Sequence, residues 1–161
     1  AGDQALAAMA PLVGERLDRA ERERNPDLPH GIIHGDLFRD NVLWEGGTPS
    51  ALLDFESACD GSWTYDIMVT MLAWCYGDDL DEALGRALFA GYAKVRRPSD
   101  VELRALGAEG RIAALRFTVT RITDFAMRTG LGARVTKDYR RFWARHERIA
   151  ALGDSLARWF E

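Results

Sequence analysis

Three oxygen-bearing side chains that could do chemistry occur in two nearby stretches of the sequence. The first stretch is a polar loop over residues 34–41 with the pattern H-x-D-x4-N, and the second begins with D-F at residue 54. Phosphoryl transfer from a nucleotide needs a carboxylate that accepts the proton of the acceptor hydroxyl, and oxygen ligands that hold Mg²⁺ against the phosphates. We therefore predict that Asp36 is the catalytic base and that Asn41 and Asp54 bind magnesium.

Each of these residues also has a structural explanation. Asp and Asn are common in loops, where they cap helices and bond their own backbone. The occurrence of all three at this spacing, between apolar runs in the right order, favours catalysis over three unrelated loop caps. We predict that His34, at the start of the loop, orients the backbone and does not transfer protons.

A β-hairpin is predicted to bring the two stretches together. Apolar runs at residues 42–45 and 51–55 flank a turn that contains Gly and Pro, which is typical of two paired strands. Because paired strands lie about 5 Å apart, residues at the open end of a hairpin are neighbours in space. Asn41 enters this predicted hairpin and Asp54 leaves it, so both side chains can reach one cation.

The rest of the sequence favours helices. Apolar residues recur at spacings of three and four, as they do on the buried face of a helix. The predicted helices cover residues 4–24, 64–76, 79–96, 100–129 and 136–160. We therefore predict a mainly α fold of the α+β class, in which a small hairpin bears the metal ligands.

Composition and charge exclude several classes of protein. The chain has 161 residues, a formal net charge of -4 and 47% hydrophobic residues, which is typical of one globular domain. An acidic chain lacks the basic face of a nucleic-acid-binding protein, and no apolar run approaches the roughly 20 residues of a membrane span. We expect no nucleic-acid or membrane partner and a cytoplasmic location. Cys59 and Cys75 have no CxxC spacing, and both are expected to be buried as small hydrophobic residues.

The loop motif resembles a known superfamily. The pattern of residues 34–41 with the following Asp54-Phe55 is similar to the aminoglycoside phosphotransferase and choline kinase superfamily, which shares the protein-kinase-like fold. Within it, the segment from Gly35 to Leu43 resembles the homoserine kinases. The same order of short motifs continues in Ala58-Cys59-Asp60, Tyr65-Asp66, Trp74-Cys75, Gly91-Tyr92, Arg97-Pro98 and the segment from Leu115 to Asp124. The resemblance extends from residue 31 to about residue 145.

This resemblance implies an enzyme that transfers the γ-phosphate of ATP to the hydroxyl of a small molecule, with L-homoserine as the best match and Mg²⁺ as the cofactor. It assigns the base to Asp36 and the metal ligands to Asn41 and Asp54, within the helical carboxy-terminal lobe of a protein-kinase-like fold. It also implies that Asp66 braces the catalytic loop. Asp66 would equally be favoured as a carboxylate near a helix N-terminus, and this explanation is compatible with bracing.

The sequence lacks the parts that form the amino-terminal lobe of such an enzyme. That lobe supplies a glycine-rich loop over the phosphates and a lysine on a strand, whereas the two lysines here, Lys94 and Lys137, follow the catalytic loop on predicted helices. We therefore expect residues 1–161 to be the carboxy-terminal catalytic lobe of a longer kinase. Without its ATP-binding lobe, the isolated chain is expected to be inactive.

Arginines and one tryptophan are the candidates for acceptor binding. An amino-acid acceptor has a carboxylate, for which the planar fork of arginine is the natural partner. Arg39 lies in the catalytic loop, and Arg116 and Arg121 lie on the predicted helix of residues 100–129. Trp74 either forms a wall of the acceptor pocket or belongs to the core.

The sequence leaves two alternatives to a homoserine kinase. Departures from the homoserine kinase pattern at Leu72-Ala73, Thr118 and Thr123 keep the catalytic residues but allow another acceptor, such as an aminoglycoside, choline or another amino alcohol. The second alternative is a binding module that keeps the lobe without catalysis. The intact set of Asp36, Asn41 and Asp54 argues against that module.

Overall fold

The fold is mainly helical, with short strands near the predicted catalytic loop. A computed structural model describes residues 2–126 and 137–160. In these ranges the helices are α1 (Gly2–Glu23), α2 (Trp63–Trp74), α3 (Glu82–Val95), α4 (Asp100–Arg121) and α5 (Arg140–Leu152). The strands are β1 (His30–Ile33), β2 (Val42–Glu45), β3 (Thr48–Leu52) and β4 (Cys59–Ser62). The mainly α fold of the α+β class is confirmed.

Capping side chains set the starts of α2 and α3. The Oγ of Ser62 accepts a hydrogen bond from the backbone of Tyr65 at 3.4 Å, and Asp81 Oδ1 accepts one from the backbone of Leu84 at 3.0 Å. Such bonds satisfy backbone N–H groups that have no partner within the helix. Helix α3 therefore begins after Asp81, three residues later than the predicted start at residue 79.

The two long carboxy-terminal helices end earlier than predicted. Helix α4 gives way to a π-helical segment, Ile122–Ala126, and residues 127–136 lie outside the described ranges. Helix α5 begins at Arg140 and ends at Leu152, and the chain continues as a 3₁₀-helix, Gly153–Phe160. Gly153 has a positive φ of 50°, a conformation that only glycine adopts readily and that ends a helix.

Helix α4 lies at the centre of the molecule and packs against α2 and α5. Gly110 makes this close approach possible. A Cβ atom added there would lie 2.5 Å from Met68 Cε on α2 and 3.1 Å from Ile149 Cγ2 on α5. The core around this contact is built of buried side chains from several helices, including Met71, Leu72, Phe89, Ala113, Ala114, Phe142 and Leu156.

The sequence did not predict a second antiparallel pair of strands, whose first strand ends at Ile33, immediately before the loop of residues 34–41. Strand β1 pairs with β4 from His30↔Ser62 to Ile33↔Cys59. Ile33 is buried, but Cys59 is exposed, whereas Cys75 at the C-terminal end of α2 is buried. The prediction that Cys59 is buried is therefore wrong, because the first two residues of β4, Cys59 and Asp60, are both exposed.

The predicted hairpin forms, but its second strand is displaced towards the turn. Strand β2 pairs with β3 from Val42↔Leu52 to Glu45↔Thr48, so the predicted strand over residues 51–55 is wrong in its bounds. The reason is a two-residue turn in which Gly46 and Gly47 have φ of 56° and 82°, because such tight hairpin turns need positive φ.

Within residues 2–126 and 137–160, no helix combines the length and the apolar character that crossing a membrane requires.

Candidate active site

A cavity of about 280 Å³ lies between the catalytic loop and the end of α4. Its walls include five residues that the sequence singled out, namely Asp36, Asn41, Asp54, Arg116 and Arg121. The predicted base and both predicted magnesium ligands therefore face one space. The lining also contains residues that the sequence did not single out, namely Phe38, Asp40, Phe117, Thr120, Asp124 and Lys137.

Asp36 lies at the point where the chain leaves β1. The preceding Gly35 has a φ of 71°, and a Cβ atom added to it would lie 2.9 Å from the carbonyl oxygen of Ser57. Burial raises the pKa of the Asp36 carboxyl above its ordinary value, Asp54 raises it further, and Arg116 and Lys137 oppose the shift. A carboxylate with a raised pKa is a stronger proton acceptor, as a general base requires.

His34 connects the loop of Asp36 with the segment that leads to Asp54. Its Nε2–H donates to the carbonyl oxygen of Leu53 at 2.9 Å, and its Nδ1 accepts from the backbone N–H of Asp36 at 3.3 Å. With Nδ1 as an acceptor, the ring is neutral and carries its proton on Nε2. Both nitrogens are thus used in backbone contacts, which supports the predicted orienting role.

Asp66 reaches the same loop from the first turn of α2. Its Oδ1 accepts from the backbone N–H of Gly35 at 2.7 Å, and its Oδ2 accepts from that of His34 at 3.3 Å. Hydrogen bonds to a carboxylate are stronger than those between neutral groups. This geometry supports the bracing role and is compatible with a favourable position near the α2 N-terminus.

The two predicted metal ligands lie at the open end of the hairpin. Asn41 Nδ2 donates to the carbonyl oxygen of Asp36 at 2.8 Å, and the backbone N–H of Leu53 donates to the carbonyl oxygen of Asn41 at 2.9 Å. Asp54 has a left-handed backbone, with a φ of 60°. The hairpin thus brings Asn41 and Asp54 to one cavity, as its predicted geometry required.

The donor set fits magnesium. Because the Asn41 amide nitrogen is bonded to the Asp36 carbonyl, its oxygen remains to act as a ligand beside the Asp54 carboxylate. Magnesium prefers such hard oxygen ligands and commonly uses one or two protein groups together with phosphate oxygens and water. Among the described residues, no three His, Cys, Asp or Glu side chains cluster as a metal site, so these two residues would need phosphate oxygens to complete the shell.

Arg39 and Trp74 lie outside the residues that line this cavity. The Arg39 guanidinium donates to the carbonyl oxygen of Trp74 and lies 5.6 Å from the centre of its ring. The Trp74 indole N–H donates to the carbonyl oxygen of Leu37 at 2.9 Å. These contacts connect the loop of residues 34–41 with the end of α2.

Arg116 and Arg121 line the cavity and are held in different ways. Arg116 donates to Gly35 in the catalytic loop and to Ser57 beyond Asp54. Arg121 donates to the carbonyl oxygen of Asp138 at 3.2 Å, and its guanidinium lies 4.2 Å from the centre of the Phe142 ring. Burial lowers the pKa of Arg121, yet arginine remains charged at neutral pH.

The polar cavity residues that sequence reasoning missed include Thr120, Asp124 and Lys137. Lys137 was predicted to lie on a helix, but it precedes α5, which begins at Arg140. In the predicted helix of residues 100–129, Thr120 and Asp124 follow Arg116 at successive spacings of four residues, which would place them on one face. This polar stripe, on a helix that is otherwise largely buried, is the signal that could have revealed them.

Comparisons of the sequence with known proteins identify a family and several relatives. The model of the phosphotransferase enzyme family, APH, matches residues 3–97. A homoserine kinase from Beijerinckia indica is 42% identical over 125 residues, which cover 76% of this chain and 39% of the relative. A homoserine kinase from Gluconacetobacter diazotrophicus is 47% identical over 113 residues, which cover 69% of this chain and 35% of the relative. A homoserine kinase from Methylocella silvestris is 35% identical over 156 residues, which cover 95% of this chain and 48% of the relative. The chain thus spans less than half the length of these curated relatives, and the resemblance predicted from the loop motif is confirmed.

Proposed function

We propose that this chain, which belongs to the phosphotransferase enzyme family, is the catalytic lobe of an ATP-dependent kinase that phosphorylates L-homoserine. The observation that supports this most directly is the cavity shared by Asp36, Asn41 and Asp54. These side chains offer one proton acceptor and two oxygen ligands, the set that phosphoryl transfer requires. The names of the relatives support homoserine as the acceptor.

Asp36 acts on the hydroxyl of the acceptor. Its carboxylate takes the hydroxyl proton while the acceptor oxygen forms a bond to the γ-phosphorus of ATP and the bond to the β-phosphate oxygen breaks, which releases ADP. His34 and Asp66 hold the loop that presents Asp36. Asn41 and Asp54 would hold Mg²⁺, which when bound supplies positive charge against the phosphate oxygens.

The charged side chains around the cavity suit an acceptor that carries both a negative and a positive charge. Arg121 and Lys137 offer cations for an α-carboxylate, and Asp124 offers a carboxylate for an α-ammonium group. Charge-assisted hydrogen bonds of this kind fix the orientation of a small ligand. An amino acid with a hydroxyl side chain satisfies these groups and presents its hydroxyl to Asp36, whereas choline has no carboxylate for Arg121.

We infer that an amino-terminal ATP-binding lobe completes the enzyme. The chain spans less than half of its relatives, and its sequence contains no glycine-rich loop followed by a strand lysine. In this proposal the longer polypeptide binds ATP between two lobes and works in the cytoplasm, where ATP is available.

A phosphorylation assay on the full-length polypeptide that contains this chain tests the proposal. With homoserine, choline and aminoglycosides as acceptors, we expect turnover of homoserine, and Asp36→Asn should lower kcat by about 10²- to 10⁴-fold because the general base is lost. Asp18→Asn, a change of an exposed aspartate on α1, is the matched control and should leave kcat unchanged. No turnover of homoserine would contradict the acceptor, and an unchanged kcat in Asp36→Asn would contradict the mechanism.

A further inference from the structure

Arg116 joins the two loops that supply the predicted base and one predicted metal ligand. Its Nη1 donates to the carbonyl oxygen of Gly35 at 2.6 Å, and its Nη2 donates to the Oγ of Ser57 at 3.0 Å. Gly35 immediately precedes Asp36, and Ser57 follows Asp54 within the next turn of chain. One guanidinium therefore contacts both loops.

We propose that Arg116 is a positioning residue, which holds the loop of Asp36 and the loop of Asp54 at a fixed separation and does not bind the carboxylate of the acceptor. The role of these two aspartates rests on the proposed function, whereas the contact of Arg116 with both loops does not. This assignment departs from the sequence-based prediction of Arg116 as an acceptor-binding residue.

The side chain of Arg116 is anchored by packing around helix α4. Its guanidinium lies 4.7 Å from the centre of the adjacent Phe117 ring, and that ring is buried and packs against Phe38 and Phe142, with centroids 5.0 and 5.1 Å away. Helix α4 is itself the central helix of the core. A side chain anchored in this way can impose a position on loops that lie at the surface of the cavity.

The two loops that Arg116 contacts approach each other closely at Gly35 and Ser57. A Cβ atom added to Gly35 would lie 2.9 Å from the carbonyl oxygen of Ser57, so little space separates the two backbones. Arginine presents its N–H groups in a rigid planar fork, and this fork can hold two acceptors at a set distance. A lysine at this position would keep the charge but would offer only one nitrogen atom to the two acceptors.

Steady-state kinetics of the full-length polypeptide separate positioning from acceptor binding. If Arg116 positions the loops, Arg116→Ala should lower kcat about 100-fold, because displacement of reacting groups by an ångström costs about that factor, while KM for homoserine stays within about threefold. Arg116→Lys should recover part of the lost kcat. A large rise in KM for homoserine with kcat unchanged would overturn the proposal, because it is the signature of lost ground-state binding.

Ser57→Ala provides a milder test that leaves Arg116 in place. It should lower kcat less than Arg116→Ala does, and the double variant should lose little more than Arg116→Ala alone, because both changes break the same contact. Independent, multiplicative losses would overturn the proposal. The matched control is Arg104→Ala, since Arg104 is an exposed arginine on the same helix, and it should leave kcat unchanged.

Hydrogen exchange tests the contact without any need for activity. In Arg116→Ala, amide exchange should become faster in both loops, residues 34–41 and 54–58, and Arg104→Ala should change neither. Failure of the parent to phosphorylate homoserine would overturn the proposed function, and the exchange measurement would still decide the role of Arg116. Unchanged exchange in both loops would overturn the inference. If Arg116→Ala does not fold, Arg116→Lys and Ser57→Ala provide the same comparison.

Discussion

At the scale of single residues, Glu109 is a carboxylate whose burial affects its pKa. Its side chain is 1% exposed, and neither of its carboxylate oxygens accepts a hydrogen bond from the described residues. The Nε of Arg24 lies 3.8 Å away on a side chain that is 53% exposed. Burial raises the pKa of Glu109 above its ordinary value of 4.5, and Arg24 opposes this shift only in part.

This raised pKa predicts a loss of stability with rising pH. The native state keeps the Glu109 proton at pH values where the unfolded state has released it, so the native state is favoured below pH 4.5 and loses this advantage as the pH rises through the native pKa. Glu109→Gln, which cannot ionise, should therefore increase the free energy of unfolding at about pH 8 by about 1 kcal/mol.

Thermal unfolding at several pH values measures this effect. The gain in Tm of Glu109→Gln over the parent should shrink as the pH falls through the raised native pKa of Glu109, because the parent then becomes neutral at this position. Glu21→Gln, a change of an exposed glutamate on α1, should show no such trend. A lower Tm for Glu109→Gln at alkaline pH would mean that the ion pair with Arg24 outweighs the cost of burial.

At the scale of elements, the motif residues could be predicted and the elements around them only in part. Asp36, Asn41 and Asp54 lie within about twenty residues of one another, so local spacing and one hairpin were sufficient to place them in a common cavity. The β1–β4 pair was missed because each strand has four residues, contains glycine and is buried at few positions. Short strands of this kind lack the alternation that sequence patterns detect.

The cavity residues contributed by the end of α4 were missed for a different reason. Periodicity predicted a helix to residue 129, but the helix changes to a π-helical segment at Ile122–Ala126. The periodicity of apolar residues does not distinguish a π-helical turn from an α-helical one. Lys137, in turn, lines the cavity from residues 137–139, which are not helical although the sequence predicted a helix there.

Asp124, in the π-helical segment, lines the cavity, and we therefore predict that it helps to select the acceptor. If Asp124 receives the α-ammonium group of homoserine, Asp124→Asn should raise KM for homoserine about 10- to 100-fold, with a smaller effect on kcat, because a charge-assisted bond contributes about 1.5–3 kcal/mol. Kinetics with 4-hydroxybutyrate, which lacks the ammonium group, should be nearly the same for Asp124→Asn and the parent.

Asp100→Asn is the control for this measurement, since Asp100 is an exposed aspartate at the opposite end of α4. It should leave KM for both acceptors unchanged. An equal loss for homoserine and 4-hydroxybutyrate in Asp124→Asn would show a general disturbance of the cavity and contradict ammonium recognition.

At the scale of the whole molecule, the hairpin and the segment that follows it carry several exposed large apolar side chains, namely Leu43, Trp44, Leu52, Leu53 and Phe55. In the sequence they flank the predicted magnesium ligands, Asn41 and Asp54, where a second lobe would bind ATP in the proposed enzyme. Large exposed apolar patches often mark a surface that is covered in the complete assembly.

The comparison of this chain with the full-length polypeptide tests that view. We expect the 161-residue chain to fold, as judged by circular dichroism and a cooperative thermal transition, because the core around α4 lies within it. We expect it to phosphorylate homoserine more than about 10³-fold more slowly than the full-length polypeptide, since the proposed amino-terminal lobe would supply further groups that position the phosphates, and positioning supplies most of the rate in phosphoryl transfer. Turnover by the folded chain at a rate close to that of the full-length polypeptide would mean that Asp36, Asn41 and Asp54 position the phosphates without a second lobe.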